Sequence, residues 1–290
     1  LDFFLQITTR LKCLGTRLIF IDLVGKFLKK QFCAMCLLIF ALNYHPDYKL
    51  VLLANRDEFY ARPTAKAHEW DCAGKVIAGK DLQAGGTWLG IDKKGRFSAI
   101  TNYRDPKNIK TEAPSRGELV QNYLLSQTDP LKYMFQVQFK AQNFNGFNLL
   151  VGNREDIFYY SNYAKSIQKI GDGIHGLSNH LLNTYWYKVG LGKEKLENYL
   201  NQNERLNIDD LLGILEDESL PAEEHFIQQT GLPLEQEKML APMFIRSEHY
   251  GTCSSTLLLW DINDKITFVE KSYLYGKPDS IQKFSFVVEV

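Results

Sequence analysis

The chain has 290 residues, 45% hydrophobic and 23% charged, a composition with ample material for a buried core. Its formal net charge of zero gives no basis for a nucleic-acid surface or a strongly charged partner. Five scattered cysteines do not make a secreted disulfide framework, and six histidines show no tight ligand spacing. A reducing, cytoplasmic setting without metal or cofactor is therefore expected.

Charge is distributed unevenly. Residues 1–34 carry Arg10, Lys12, Arg17, Lys26, Lys29 and Lys30 against Asp2 and Asp22, a net of +4 that leaves −4 for the remainder. Asp22 interrupts the best apolar run, LIFIDLVG, and Lys29-Lys30 follow it. This lacks the ordered basic, apolar and small-residue regions of a secretory signal, and it is too short for a membrane span. An upstream extension or removable leader is expected at 1–34, with a single folded domain at 35–290.

The stretch FCAMCLLIFALNY then poses a choice. Cys33 and Cys36 have the C-x-x-C spacing of a redox or metal pair, without the βαβ context or second cysteine pair that such sites use. The other reading starts the working chain at Met35; excision of that methionine, which a small second residue permits, leaves Cys36 first.

From Met35 the elements become regular. CLLIFALNY and KLVLLANRDE read as buried strands joined by a tight turn, hence antiparallel, with Cys36 brought beside Asn55-Arg56-Asp57-Glu58. Strand alternation sends Arg56 and Asp57 to opposite faces unless the strand bends. Gly85-Gly86 reads as a tight turn allowing close approach near the site mouth. A strand over 87–91, a turn at 92–95 and a strand over 96–102 follow. Ser115, three residues before Glu118, has capping-box spacing. GFNLLVGNREDIFYYSNY reads as a hairpin, TYWYKVGLGKEKLENYL and IDDLLGILED have helical period, and SSTLLLWDINDKITFVEKSY and FSFVVEV return to strands. Strands, then helices, then strands argue for an α+β fold with helix layers over packed antiparallel sheets.

A Cys36 with a free amine would hold a thiol and its own base, at ordinary pKa values of about 8.5 and about 7.7–8.0. Such a site needs a cation, an acceptor for the amine and donors for an oxyanion. Arg56 supplies the cation, and Asp57 or Glu58 the acceptor.

MCLLIFAL, LVLLANRDEFYARPT, GGTWLGID, TNYRDP and SRGELV resemble the NRDE-motif family, also called the transport and Golgi organisation 2 family, over essentially all of 35–290. More distantly, the chain is similar to the cysteine N-terminal nucleophile hydrolases of the penicillin V acylase and bile salt hydrolase group. That resemblance implies a four-layer αββα sandwich cleaving a non-peptide amide bond. It implies Cys36 as nucleophile, Arg56 as its arginine, Asp57 as the site acid, Asn102 as the oxyanion group and Asn179 as a second asparagine. Glu58, Trp88 and Tyr103 are expected to meet substrate, Trp88 as pocket wall or core. Taken singly, Asn102 and Asn179 are ordinary turn residues and Arg56-Asp57 an ordinary strand-end pair.

Two positions depart from the pattern. Asp57 follows Arg56 immediately, whereas the hydrolases place their acid three residues on, where this chain has Phe59. Cys253 stands where relatives usually have arginine after Tyr-Gly-Thr, leaving Arg246 or Arg104 as substitutes. Two functions are consequently expected. One is a cysteine hydrolase acting on a small acylated substrate through a thioester. The other is a non-catalytic binding or trafficking protein of the same fold, whose resemblance to eukaryotic relatives implies a lipid or haem-like ligand.

Overall fold

The computed structural model describes residues 35–71 and 75–289. The expected leader at 1–34, with Cys33 of the C-x-x-C reading, lies outside the described residues, as does Cys72.

β1 (Met35–His45) and β2 (Tyr48–Phe59) form the expected antiparallel hairpin, with Leu38 opposite Ala54 and Cys36 opposite Arg56. The Asp47 N–H donates to His45 Nδ1 at 3.1 Å and closes the turn. A register shift between Leu42 and His45 puts Asn43 at φ +48°, a left-handed conformation that asparagine tolerates. Residues 37–41 and 50–54 are all buried. Leu38, Phe40, Leu52 and Ala54 face a second sheet, while Leu37, Ile39, Val51 and Leu53 face helices. Burial on both faces is why these strands read as continuous apolar runs.

Both sheets are antiparallel. The first runs in the order β10 (Gly173–Leu177), β1, β2, β11 (Tyr250–Asp261), β12 (Lys265–Leu274), β13 (Lys277–Val287). The second follows the chain through β3 (Thr64–Glu69), β4 (Ile77–Asp81), β5 (Leu89–Ile91), β6 (Phe97–Asn102), β7 (Phe147–Gly152), β8 (Ile157–Ser161) and β9 (Ile167–Lys169).

Leu38, Phe40, Leu52 and Leu258 from the first sheet meet Ile77, Leu89, Phe97 and Leu150 from the second. α1 (Gly117–Leu125) and α2 (Pro130–Lys140) cover the far face of the second sheet, setting Leu119, Tyr123, Met134 and Val137 on Phe147, Leu149 and Val151. α3 (Tyr187–Gln202) and α4 (Ile208–Ile214) cover the first, setting Val189, Leu196, Leu200 and Leu211 on Leu37, Ile39 and Leu53. The layers are thus helix, sheet, sheet, helix, the αββα sandwich expected. Each fully buried aliphatic side chain contributes about 1.5–3 kcal/mol.

Local expectations fared unevenly. Ser115 forms no capping box: Arg116 is the N-cap of α1 and no side chain caps it. β5 starts two residues late because the Thr87 N–H donates to the Gly117 carbonyl (3.3 Å) instead of a strand. Gly85 and Gly86 do turn at positive φ, yet the close approach is to α1, since a Cβ on Gly86 would lie 2.6 Å from Gly117 C. α2 has a start that is readable in the sequence: Asp129 accepts from the Lys132 N–H at 3.1 Å, with Pro130 in the first turn. Among the described residues no helix is long and apolar enough to cross a membrane. Nor, among them, does any group of three or more His, Cys, Asp and Glu side chains stand placed to hold a metal.

A candidate active site at one end of the inter-sheet layer

Cys36 enters the sheet at the start of β1, with its side chain in the inter-sheet layer. Its cross-strand neighbour Arg56 lays its guanidinium over the Trp88 ring, 4.4 Å from the centroid, a cation–π geometry. Trp88 fits there because Gly79 has no side chain; a Cβ would come within 2.3 Å of the indole. Glu58 approaches Arg56 at 3.8 Å and Arg62 at 3.5 Å, and Arg62 bonds Asp81 Oδ2 through two nitrogens (3.0 and 2.7 Å). Arg56 is therefore a neighbour of the thiol, with Trp88 against its guanidinium, and Glu58 is held in ion pairs with Arg56 and Arg62.

β2 does not bend. Asn55 and Asp57 face the helix layer, where Asn55 Nδ2 donates to the carbonyls of Leu215 (2.9 Å) and Met243 (2.8 Å). Asp57 Oδ1 accepts from Thr252 Oγ1 at 2.7 Å, whereas Oδ2 is buried without a hydrogen-bond partner. Asp57 still acts on the thiol from within the strand, its charge raising the Cys36 thiol while its nearby backbone N–H lowers it. Burial pushes the Asp57 carboxyl up from 3.8 to about 6, against the opposing pull of Lys188 and the Thr252 bond. The Cys36 thiol is pushed up to about 12, first by burial and then by Asp57.

Lys188, in the first turn of α3, is fully buried, and its Nζ has no hydrogen-bond partner. Burial pulls it down to about 8, against the attraction of Asp57. The sequence reading missed this residue, although a signal exists: Lys188, Gly192, Leu196 and Leu200 form the buried stripe of α3 at a spacing of four.

β11 pairs Thr252 with Asp57 and Ser254 with Arg56, so Cys253 is the extra residue of a bulge. Its Sγ donates to the carbonyls of Glu58 (3.6 Å) and Gly251 (3.5 Å), and burial pushes the thiol up to about 12. Of the two arginines considered as substitutes, Arg246 is exposed and pairs with Glu218 at 2.8 Å. Arg104 is buried, pairs with Glu237 of α5 (Leu234–Met239) at 2.7 Å, and faces the Trp186 ring at 5.0 Å.

The asparagines tie the sheets together beside Cys36. Ser178, just past β10, donates through Oγ to the Cys36 carbonyl (3.1 Å), and its own carbonyl accepts from Thr101 Oγ1 (2.6 Å). Asn179 Nδ2 donates to the Asn102 carbonyl (2.9 Å), and the Arg104 N–H donates to the Asn179 carbonyl (2.8 Å). Tyr103 lies next in the chain, but its ring stacks on Tyr163 at 3.8 Å and meets His180 at 5.0 Å.

Comparison with known proteins gives the family. The Transport and Golgi organization 2 homolog of Mus musculus is 35% identical over 259 residues, covering 83% of this chain and 94% of its own length. The Transport and Golgi organization protein 2 homolog of Homo sapiens is 33% identical, with the same two coverages. Among solved structures, the Caenorhabditis elegans N-acylethanolamine-hydrolyzing acid amidase ortholog is similar at a TM-score of 0.45 and 10% identity, covering 77% of this chain and 92% of its own. A mutant conjugated bile acid hydrolase from Clostridium perfringens is similar at a TM-score of 0.43 and 10% identity, covering 89% and 99%. Residues 35–275 match the family described as Transport and Golgi organisation 2, and the chain belongs to that family.

Proposed function

We propose that this chain works as an N-terminal cysteine hydrolase on a non-peptide amide of a small acylated substrate. In this reading residues 1–34 are a removable leader, Met35 is excised, and Cys36 acts with its own α-amine as base. The observation that carries the reading is the placement of Cys36 opposite Arg56 at the start of β1, beside the Ser178 and Asn179 bridge. Burial and then Asp57 push the thiol up to about 12, so the thiolate needs a base close by; a free α-amine puts one two bonds from the thiol-bearing carbon.

The steps follow. Sγ bonds to the substrate carbonyl carbon while its proton passes to the amine, and Asn102 with a backbone N–H holds the oxyanion. The loss of one such donor costs about 3–4 kcal/mol. The C–N bond then breaks, the leaving nitrogen takes the proton from the α-ammonium, and water cleaves the thioester to restore the thiol. Arg56 favours the thiolate, Asp57 accepts from the amine, Asn179 holds the Asn102 backbone, and Glu58, Trp88 and Tyr103 border the acyl group.

Intact mass and N-terminal sequencing of protein expressed from its own upstream DNA, followed by a cysteine-directed acyl probe, test the reading. A chain beginning at Cys36 and acylated there, with the adduct lost in Cys36→Ser, is the expected outcome. A stable chain retaining 1–34 and forming no adduct overturns it.

Cys253 in place of an arginine supports a second reading, a pocket that binds a lipid or haem-like ligand without turnover. On that reading Cys36→Ala weakens ligand binding in a protein that turns over no amide.

A further inference from the structure

Lys188 is a lysine where packing calls for an apolar side chain. On the same stripe of α3, a Cβ on Gly192 would come within 2.8 Å of Ile39 Cγ1 on β1, and Val189 sits on Gly176 of β10. One turn nearer the helix N-terminus, Lys188 lies over the beginning of β1 and the end of β2, where Cys36 and Asp57 are. Its Nζ and Asp57 Oδ2 are both buried and neither makes a hydrogen bond.

The surrounding charges have partners of their own. Asp57 meets Lys188 from α3, Thr252 and Cys253 from β11, Arg56 and Glu58 from its own strand, Cys36 from β1, and Tyr60. Lys188 meets Asp57, Cys36 and Arg104. Arg104 is answered by Glu237 at 2.7 Å, and Glu58 by Arg56 and Arg62. Among the described residues Lys188 is the strongest opposite charge acting on Asp57, and Asp57 the strongest acting on Lys188, although the two make no direct ion pair. Two buried, opposite charges offset part of each other's desolvation, while either one alone is an uncompensated buried ion.

We infer that Lys188 is a positioning residue of the candidate site: its ammonium keeps Asp57 a carboxylate and cancels that carboxylate's field at Cys36. The catalytic consequence rests on the proposed hydrolase reading; the charge relation does not. An uncompensated Asp57 would hold the Cys36 α-amine as ammonium and oppose thiolate formation, and a protonated Asp57 would no longer attract the amine's charge. Lys188 avoids both.

Difference infrared spectroscopy of the protonated carboxyl band between pH 5 and pH 9, assigned with Asp57→Asn, tests the inference in wild type, Lys188→Met and Lys188→Arg. The pH profile of Cys36 alkylation by iodoacetamide is recorded alongside. In Lys188→Met the Asp57 midpoint should move at least about tenfold towards lower proton concentration and the alkylation profile should follow it; Lys188→Arg should stay within about threefold of wild type. An unmoved Asp57 midpoint in Lys188→Met overturns the inference, because methionine fills the same space and a purely structural lysine would give that result. Should Lys188→Met not fold, the double variant Asp57→Asn/Lys188→Met, which removes both charges, is expected to recover folding, and its failure to do so also overturns the inference. If Cys36 resists alkylation in every variant while the Asp57 midpoint still moves, the charge relation stands and the nucleophile reading falls.

Discussion

Asp57 holds its proton up to about pH 6 in the folded protein, whereas its ordinary value is 3.8. Between those values only the folded state binds the proton, so this carboxyl's contribution to stability falls as pH rises through that window and is level above it. Asp57→Asn keeps an acceptor for Thr252 and removes the dependence. Its stability relative to wild type should therefore rise by roughly 2–3 kcal/mol from pH 4 to pH 7, measured by urea unfolding at each pH. Parallel pH curves for the two proteins would mean that the carboxyl titrates normally. Cys36 and the Asn55–Glu58 stretch were legible as neighbours because a two-residue turn brings the strand ends together, whereas the shift between Leu42 and His45 that sets Cys36 opposite Arg56 was not. Lys188 was not, because helical period reveals which face is buried but not which strand end that face covers.

At the scale of elements, the bulge in β11 does most to shape the site. It lets Thr252 reach Asp57 and Ser254 pair with Arg56, with Cys253 left between them. The strand is pinned just ahead of the bulge, where a Cβ on Gly251 would lie 2.4 Å from the Ile245 carbonyl oxygen and 2.2 Å from Tyr60 Oη. Gly251→Ala should consequently cost about 1–3 kcal/mol through overpacking. A lowered thermal midpoint, with β11 amides exchanging faster, is the expected result; an unchanged midpoint would mean the strand end yields freely. β1, β2, β11 and β12 were readable from apolar runs and turn residues. The bulge was not, because it depends on the partner strand, and the failed capping box shows the same limit on a local signal. Ser115 has the right spacing, yet its carbonyl accepts the Glu118 N–H at 3.2 Å and the helix begins later.

At the scale of the molecule, the described residues build three continuous cores, one between the sheets and one under each helix pair. A chain starting at Met35 should accordingly fold by itself, with a thermal midpoint within about 4 °C of the full chain, as expected when less than about 1 kcal/mol is at stake in a domain this large. Circular dichroism melts of the two proteins decide it, and a truncated chain without a cooperative transition would move the domain boundary upstream of residue 35. The four layers were foreseeable because strand and helix patterns occur in blocks. The order β10-β1-β2-β11 was not, since it joins segments far apart in the chain.

That strand order sets a timetable for synthesis. The Cys36 carbonyl waits for Ser178, 142 residues later, and Asp57 for Thr252, 195 residues later. At a ribosomal pace of roughly 5–20 residues per second, the second interval lasts about 10–40 s. The β1–β2 hairpin is long complete by then, so one side of the site is made early and its partners just past β10 and on β11 arrive late.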